Sequence, residues 1–290
     1  MFEGSFVAIV TPFKNEAVDE YALRRLIEFQ IANGTQGIVP CGTTGESATL
    51  THEEHDQVIA IAVEACAGKV PVLAGTGSNS TFEAIKLTQH AEKAGADGSL
   101  LITPYYNKPS QEGLYRHFET VAKETDLPII LYNVPGRTSV NMLPETVERL
   151  SKIRNIVGIK EASGSLTQIT EVIARCGEDF SVISGDDPLL LPILSVGGKG
   201  VISVTANVLP AKVAQLCGAA MKGDMETARK LHHELFRLNE AMFVETNPVP
   251  VKKALHLMGW IEDEVRQPLA PLTESSLNFL KKIMSDYSLH

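Results

Sequence analysis

Eight short apolar runs recur along the chain, and each is followed by a polar or glycine-rich corner and then an amphipathic stretch. The runs are Phe6–Val10, Gly37–Pro40, Val70–Ala74, Ser99–Thr103, Pro128–Tyr132, Ile156–Ile159, Phe180–Ser184 and Gly200–Val204. They are nearly continuous in Val, Ile and Leu. Strands buried on both faces of a parallel sheet read this way, whereas half-exposed strands alternate apolar with polar. Helical spacing fills the intervals: Tyr21–Ile31, Glu53–Ala65, Phe82–Ala94, Glu112–Lys123, Pro144–Leu150, Leu166–Arg175 and Pro188–Val196. Thr51 and Glu54 form a capping-box pattern at one helix start. Gly34, Gly68, Gly95 and Gly177 stand where helices should close.

Strand and helix alternating eight times predict an α/β fold of the (β/α)8, or TIM, barrel type. The open doubly wound sheet is the competitor, but its phosphate fingerprint is missing: Gly75 and Gly77 are followed by Ser80, not by a third glycine. From about Leu209 the pattern is helical only, over Ala211–Met221, Met225–Asn239, Pro248–Leu257 and Glu274–Ser285. The first of these completes the barrel. Residues 1–224 are therefore predicted to form the catalytic barrel and residues 225–290 a C-terminal helical appendage.

Composition narrows the classes of partner. Acidic residues number 35 and basic residues 26, for a net charge of −9, which disfavours a nucleic-acid partner because phosphate binding needs a basic face. No apolar stretch reaches the length of a membrane helix, and the acid Glu3 stands where an export signal wants positive charge. Cys41, Cys66, Cys176 and Cys217 are scattered, with no C-x-x-C. A reduced, cytoplasmic chain is expected, with neither a disulfide scaffold nor a zinc site.

In a barrel of this kind the chemistry lies at the C-terminal ends of the strands. The corners there are Thr11, Gly42-Thr43-Thr44-Gly45-Glu46, Gly75-Thr76-Gly77, Pro104-Tyr105-Tyr106-Asn107, Tyr132 to Arg137, Lys160-Glu161, Gly185-Asp186-Asp187 and Thr205-Ala206-Asn207. They are rich in hydroxyls and hold no histidine and no metal-ligand cluster, a set suited to carbonyl chemistry. Lys160 alone among the lysines ends an apolar strand. Burial there lowers an amine toward neutrality, and a neutral amine facing a carbonyl forms a Schiff base. The alternative is a lysine paired with Glu161. Tyr132 ends the preceding strand, either as a proton shuttle or as a rim aromatic, and Tyr105 and Tyr106 share that ambiguity. The Thr43-Thr44 turn offers amides and hydroxyls to an anion, or is a plain tight turn. Arg137 is placed to fork a carboxylate, or is an ordinary surface cation. His52 and His55 lack the H-E-x-x-H spacing and read as a solvated helix face or a secondary site. Cys41 reads as a packed thiol.

Three corners taken together, Gly42 to Glu46, Tyr132 to Thr138 and Gly158 to Ala162, resemble the pyruvate-dependent class I aldolase and lyase superfamily. Within it the chain is similar to the dihydrodipicolinate synthase family over nearly all of its 290 residues. Pro104 to Pro109, Val201 to Asn207 and Asn247 to Lys252 extend the likeness. The resemblance implies a lyase that condenses pyruvate with L-aspartate 4-semialdehyde to 4-hydroxy-tetrahydrodipicolinate, the first committed step of diaminopimelate and lysine biosynthesis. It implies a Schiff base on Lys160 with no organic cofactor and no metal. It also implies a proton relay of Thr43, Tyr132 and Tyr106, with Tyr106 reaching a neighbouring subunit's site. Thr44 would hold the pyruvate carboxylate, Arg137 the semialdehyde carboxylate, and Gly185 and Ile202 would line the site. A homotetramer built as a dimer of dimers is implied. Ser47, Ala48, His52, His55, Asn79, Glu83 and Tyr105 match positions that bind lysine in feedback-inhibited members, with His55 and Glu83 meeting the ligand's charges; an ordinary polar dimer seam is the alternative. The rival readings are a sister lyase acting on a sugar acid, which would be expected to carry Ser-Thr where Thr43-Thr44 stands, and a barrel that has lost its chemistry.

Overall fold

A computed structural model of the chain describes residues 2–289; residues 1 and 290, the outer limits of the two predicted regions, lie outside the described residues. The eight barrel strands are β1 (Gly4–Ala8), β2 (Gly37–Val39), β3 (Leu73–Gly75), β4 (Gly98–Ile102), β5 (Ile129–Asn133), β6 (Ile156–Glu161), β7 (Ser181–Ser184) and β8 (Gly200–Ser203). All pair in parallel, in the order β2-β1-β8-β7-β6-β5-β4-β3. A bridge between Ile38 and Val72 closes the ring. Every predicted run thus holds a strand, displaced by a few residues at most. The largest displacement is at β3, where Pro71 lacks the N–H a ladder needs and pairing begins later than the apolar run.

Successive side chains in a strand face opposite ways, so each strand serves two cores. Phe6, Ala8, Val39, Leu73, Leu100, Ile130, Tyr132, Ile183 and Ile202 form one cluster and fill the lumen. Their neighbours along the strands, such as Leu131 and Ile159, pack outward against the helices. Gly37 shows how tight the lumen is, because a Cβ there would sit 2.0 Å from the Phe6 ring.

The surrounding helices are α1 (Glu20–Ala32), α2 (His52–Cys66), α3 (Thr81–Ala94), α4 (Gln111–Lys123), α5 (Pro144–Leu150), α6 (Leu166–Cys176), α7 (Leu190–Ser195) and α8 (Pro210–Met221). Thr51 caps α2 as the spacing predicts: its hydroxyl accepts from the Glu54 amide at 3.2 Å, and the Glu54 carboxylate accepts from the Thr51 amide at 2.9 Å. Three further helices follow: α9 (Met225–Ala241), α10 (Val249–Leu257) and α11 (Glu274–Asp286). Leu231, Leu235 and Leu238 of α9 share an apolar cluster with Ile9, Leu23 and Val201 of the barrel, so these helices are packed into it.

A hairpin and a one-turn helix are among the elements with no counterpart in the sequence expectation. A hairpin of Phe13–Lys14 with Ala17–Val18 turns through Asn15 and Glu16, both at positive φ and neither a glycine, so the usual hairpin signal is missing. A one-turn helix, Pro135–Thr138, forms inside the corner after β5 and carries Arg137.

Candidate active site

Tyr132 on β5 is the register partner of Lys160 on β6, and Asn133 is the partner of Glu161. Because side chains alternate, the first pair faces the lumen and the second faces the helices. Glu161 accepts from the Asn133 amide at 3.1 and 3.2 Å, from the Ser163 amide at 2.7 Å and from Gln168 at 3.3 Å. It is turned away from Lys160, so the alternative of a Lys160–Glu161 ion pair does not form. Lys160 is buried, and burial brings its amine down to about 8; the charge of Arg137 adds to the fall and that of Asp187 opposes it. The Lys160 Nζ lies 4.3 Å from the centroid of the Tyr132 ring. Burial pushes the Tyr132 phenol up, while the Arg137 charge and the Thr43 side chain pull it down.

Asp187 was only a corner residue in the sequence, yet it is buried in this site. Its carboxylate accepts from the Ser203 hydroxyl and from the amides of Val204 at 2.9 Å and Thr205 at 3.2 Å. Gly185 gives the lysine stem its passage, since a Cβ there would stand 3.0 Å from Lys160 Cε and 2.8 Å from Ala162 Cβ. Ile202 packs in the lumen with Tyr132 and Ile183.

The Gly42–Glu46 turn is held from several sides. Thr11 donates its hydroxyl to the Gly45 carbonyl at 2.7 Å. The Asn247 amide donates to the Thr44 hydroxyl at 3.0 Å. Arg137 donates to the Asn247 carbonyl at 3.3 Å. Thr44 and Arg137 come from different corners, and Asn247 ties them together. Glu46 ends the turn at φ 54°, a left-handed conformation that costs a residue with a Cβ roughly 1–2 kcal/mol. Asn247 was quoted only as part of a longer likeness; nothing local marks it, because its partner lies 203 positions away.

A cavity of about 510 Å³ opens over these groups. Its wall includes Gly42, Thr43, Tyr132, Arg137 and Asn247, and also Ser47, Ala48, His52, His55, Glu83 and Tyr105. Lys160, Thr44, Gly185 and Ile202 do not form its wall; Lys160 stands beside the Tyr132 ring, deeper in the lumen. Asn79 is also off the wall, with its carbonyl accepting from Asn107 at 2.9 Å. Tyr106 is 89% exposed and is not brought to Thr43 and Tyr132 of its own chain.

The two histidines behave differently. His52 is solvated, as expected, and its Nε2 lies 3.0 Å from Glu83. His55 is not: one turn further along α2 the helix passes under the Gly75 corner, and its Nε2 donates to the Gly75 carbonyl at 2.8 Å. It is buried, and burial lowers its pKa. The reading of both histidines as one solvated face is corrected for His55. Cys41 is a buried thiol that burial holds well above the usual range. Among the described residues, no group of three or more His, Cys, Asp and Glu side chains is placed to hold a metal ion, and no helix is long and apolar enough to cross a membrane.

A closed α/β barrel with a buried lysine whose pKa burial lowers, beside Tyr132 and a cavity lined by Thr43, defines a barrel enzyme of the carbonyl-condensing lyase class. The sequence profile of the dihydrodipicolinate synthetase family matches residues 1–287, and the chain belongs to that family. A 4-hydroxy-tetrahydrodipicolinate synthase of Citrifermentans bemidjiense is 63% identical over 289 residues, covering all of both chains. The crystal structure of dihydrodipicolinate synthase from Aquifex aeolicus superposes with a TM-score of 0.98 at 51% identity, over 99% of each chain. A dihydrodipicolinate synthase structure from Cyanidioschyzon merolae, with lysine bound, superposes with a TM-score of 0.97 at 42% identity, over 100% of this chain and 99% of that one.

Proposed function

We infer that this chain is a lyase that condenses pyruvate with L-aspartate 4-semialdehyde to give 4-hydroxy-tetrahydrodipicolinate, at the entry to diaminopimelate and lysine biosynthesis. The observation that carries the reading is the Lys160 amine, buried in the barrel beside Tyr132 with its pKa brought to about 8. The family match over residues 1–287 supports the same reaction.

Neutral Lys160 attacks the keto carbon of pyruvate, and loss of water leaves an imine on Nζ. The cationic imine nitrogen acidifies the adjacent methyl group. Removal of that proton gives an enamine, whose carbon attacks the semialdehyde carbon. The amine of the second substrate then displaces Lys160 and closes the ring, so the lysine returns unchanged. No organic cofactor and no metal take part in this scheme. Tyr132 and Thr43 carry the protons, which suits a phenol packed on the amine and a hydroxyl on the same cavity wall. The Gly42–Glu46 turn, with Thr44, receives the pyruvate carboxylate, and Arg137 receives that of the semialdehyde. Gly185 and Ile202 shape the space around the imine.

Tyr106 completes the relay from a neighbouring copy in a homotetramer of paired dimers. Its 89% exposure and its absence from its own cavity favour that assignment. The substrates fit a cytoplasmic enzyme. Purified protein supplied with both substrates should form the cyclic product, and borohydride with pyruvate should fix a covalent adduct on Lys160. Turnover of a sugar acid alone, or no adduct, would overturn the reading.

A second role is favoured by the cavity itself, which runs from Arg137 to six of the seven matched positions, Asn79 being the exception. We propose that lysine binds among these positions and slows the enzyme. Glu83 is the anionic group there, already engaged by His52 and by the Ser78 hydroxyl. His55 lines the cavity with its Nε2 donating to Gly75, while its Nδ1 has no hydrogen-bond partner among the described residues. Initial rates measured with millimolar lysine decide the matter; unchanged rates would reject it.

A further inference from the structure

The scheme above uses the Gly42–Glu46 turn but not the buried charges beneath it. The Lys252 ammonium, on α10, sits on the Glu46 carboxylate, with the two side chains 2% and 1% exposed. The same ammonium donates to the Thr11 carbonyl at 3.0 Å. The other Glu46 oxygen accepts from the Arg266 amide at 3.0 Å. Lys252 Nζ and the Arg266 guanidinium both lie 4.2 Å from the centre of the Phe13 ring, in the hairpin at the barrel mouth. Arg266 in turn makes an ion pair with Glu54, near the start of α2. Burial draws the Lys252 ammonium down and the Glu46 charge holds it up.

A buried ion pair is weak evidence for stability, because an apolar pair of like volume often does as well. What this pair does supply is geometry. Glu46 ends the turn in a left-handed conformation, two residues after Thr44. Asn247, five residues before Lys252, donates to the Thr44 hydroxyl and accepts from Arg137. One short segment therefore grips the turn at its middle and at its last residue, and its Asn247 also holds the arginine proposed for the second substrate.

We propose that Lys252 and Glu46 are a positioning pair: locked together, they hold the Gly42–Glu46 turn in the shape that receives the carboxylate of the keto acid. This rests on the synthase reading above. Glu46 lines the cavity, but its carboxylate oxygens are taken by the Lys252 ammonium and the Arg266 amide. Loss of either charge leaves the partner buried and unmatched, and the turn relaxes away from the geometry its amides and Thr44 need.

The test reads the pyruvate half-reaction alone, as the rate of borohydride-trapped adduct against pyruvate concentration, with thermal unfolding measured in parallel. Wild-type protein must first form the adduct; failure there overturns the synthase reading, whatever the variants do. Glu46→Gln keeps the side-chain shape. It should raise the half-saturating pyruvate concentration on the order of 10- to 100-fold while the trapping rate at saturation changes far less. Lys252→Met should do the same, and Lys252→Arg should restore part of the loss. The double variant Glu46→Gln/Lys252→Met should be no worse than the poorer single variant, because the two residues act as one unit. If Lys252→Met does not fold, Glu46→Gln alone decides. Unchanged pyruvate saturation in a folded variant, a fall in unfolding temperature without that change, or losses that multiply in the double variant would each overturn the proposal.

Discussion

The Tyr132 ring is the floor on which the Lys160 amine rests, its centroid 4.3 Å from Nζ, because the two residues are register partners on adjacent strands. The backbone ladder itself sets the spacing between the phenol ring and the amine. Replacing the phenol while keeping the ring therefore separates chemistry from packing. Tyr132→Phe should leave the fold intact and lower kcat on the order of 10²- to 10⁴-fold, with a much smaller change in the KM for pyruvate. Steady-state kinetics with a thermal melt check it.

The amine titrates near 8, and only its neutral form attacks a carbonyl. Imine formation should therefore climb about tenfold per pH unit below pH 8 and level off above it. Stopped-flow measurement of adduct formation between pH 6 and pH 10 gives the profile. Linkage adds a second signature. The folded value lies below the ordinary 10.5 of a lysine, so between about pH 8 and pH 10.5 the unfolded chain holds more protons at this group, and its contribution to stability rises with pH. Below pH 8 the burial cost is present in full. Lys160→Met should abolish the adduct, remove that slope and make the protein more stable at neutral pH, as denaturant titrations at several pH values would record.

Arg137 is fixed by the Asn247 carbonyl and lines the cavity beside Tyr132. Arg137→Met should weaken use of the semialdehyde by about 10- to 100-fold, the worth of a charge-assisted hydrogen bond pair. Pyruvate trapping should persist. Comparing adduct yield with turnover of both substrates separates the two halves of the reaction.

Gly185 leaves room for the lysine stem. A methyl group there meets Lys160 Cε at 3.0 Å and Ala162 at 2.8 Å. Gly185→Ala should cost about 1–3 kcal/mol of stability, as overpacking does, and slow imine formation by displacing Nζ. Urea unfolding and the trapping rate test both halves of the statement.

Much of this architecture is legible from the chain alone. Continuous Val, Ile and Leu runs announce strands covered on both faces, and the one lysine at the end of such a run proves to be a buried amine with its pKa lowered to about 8. What stays hidden is long-range or context-made. Asn247 and Lys252 meet their partners across two hundred residues, and no periodicity encodes such a meeting. His55 reads as polar surface until α2 is docked under the Gly75 corner. The hairpin at Asn15 and Glu16 escapes notice because neither turn residue is a glycine. The exposure of Tyr106 is equally invisible in one dimension, since a tyrosine in a corner reads the same whether it points inward or outward.

The clasp between Glu46 and Lys252 spans 206 positions. On a ribosome, the Gly42–Glu46 turn emerges long before the segment that holds it. Lys160 itself precedes Lys252 by 92 residues, so about a third of synthesis passes with the amine made and the proposed carboxylate seat still unclasped.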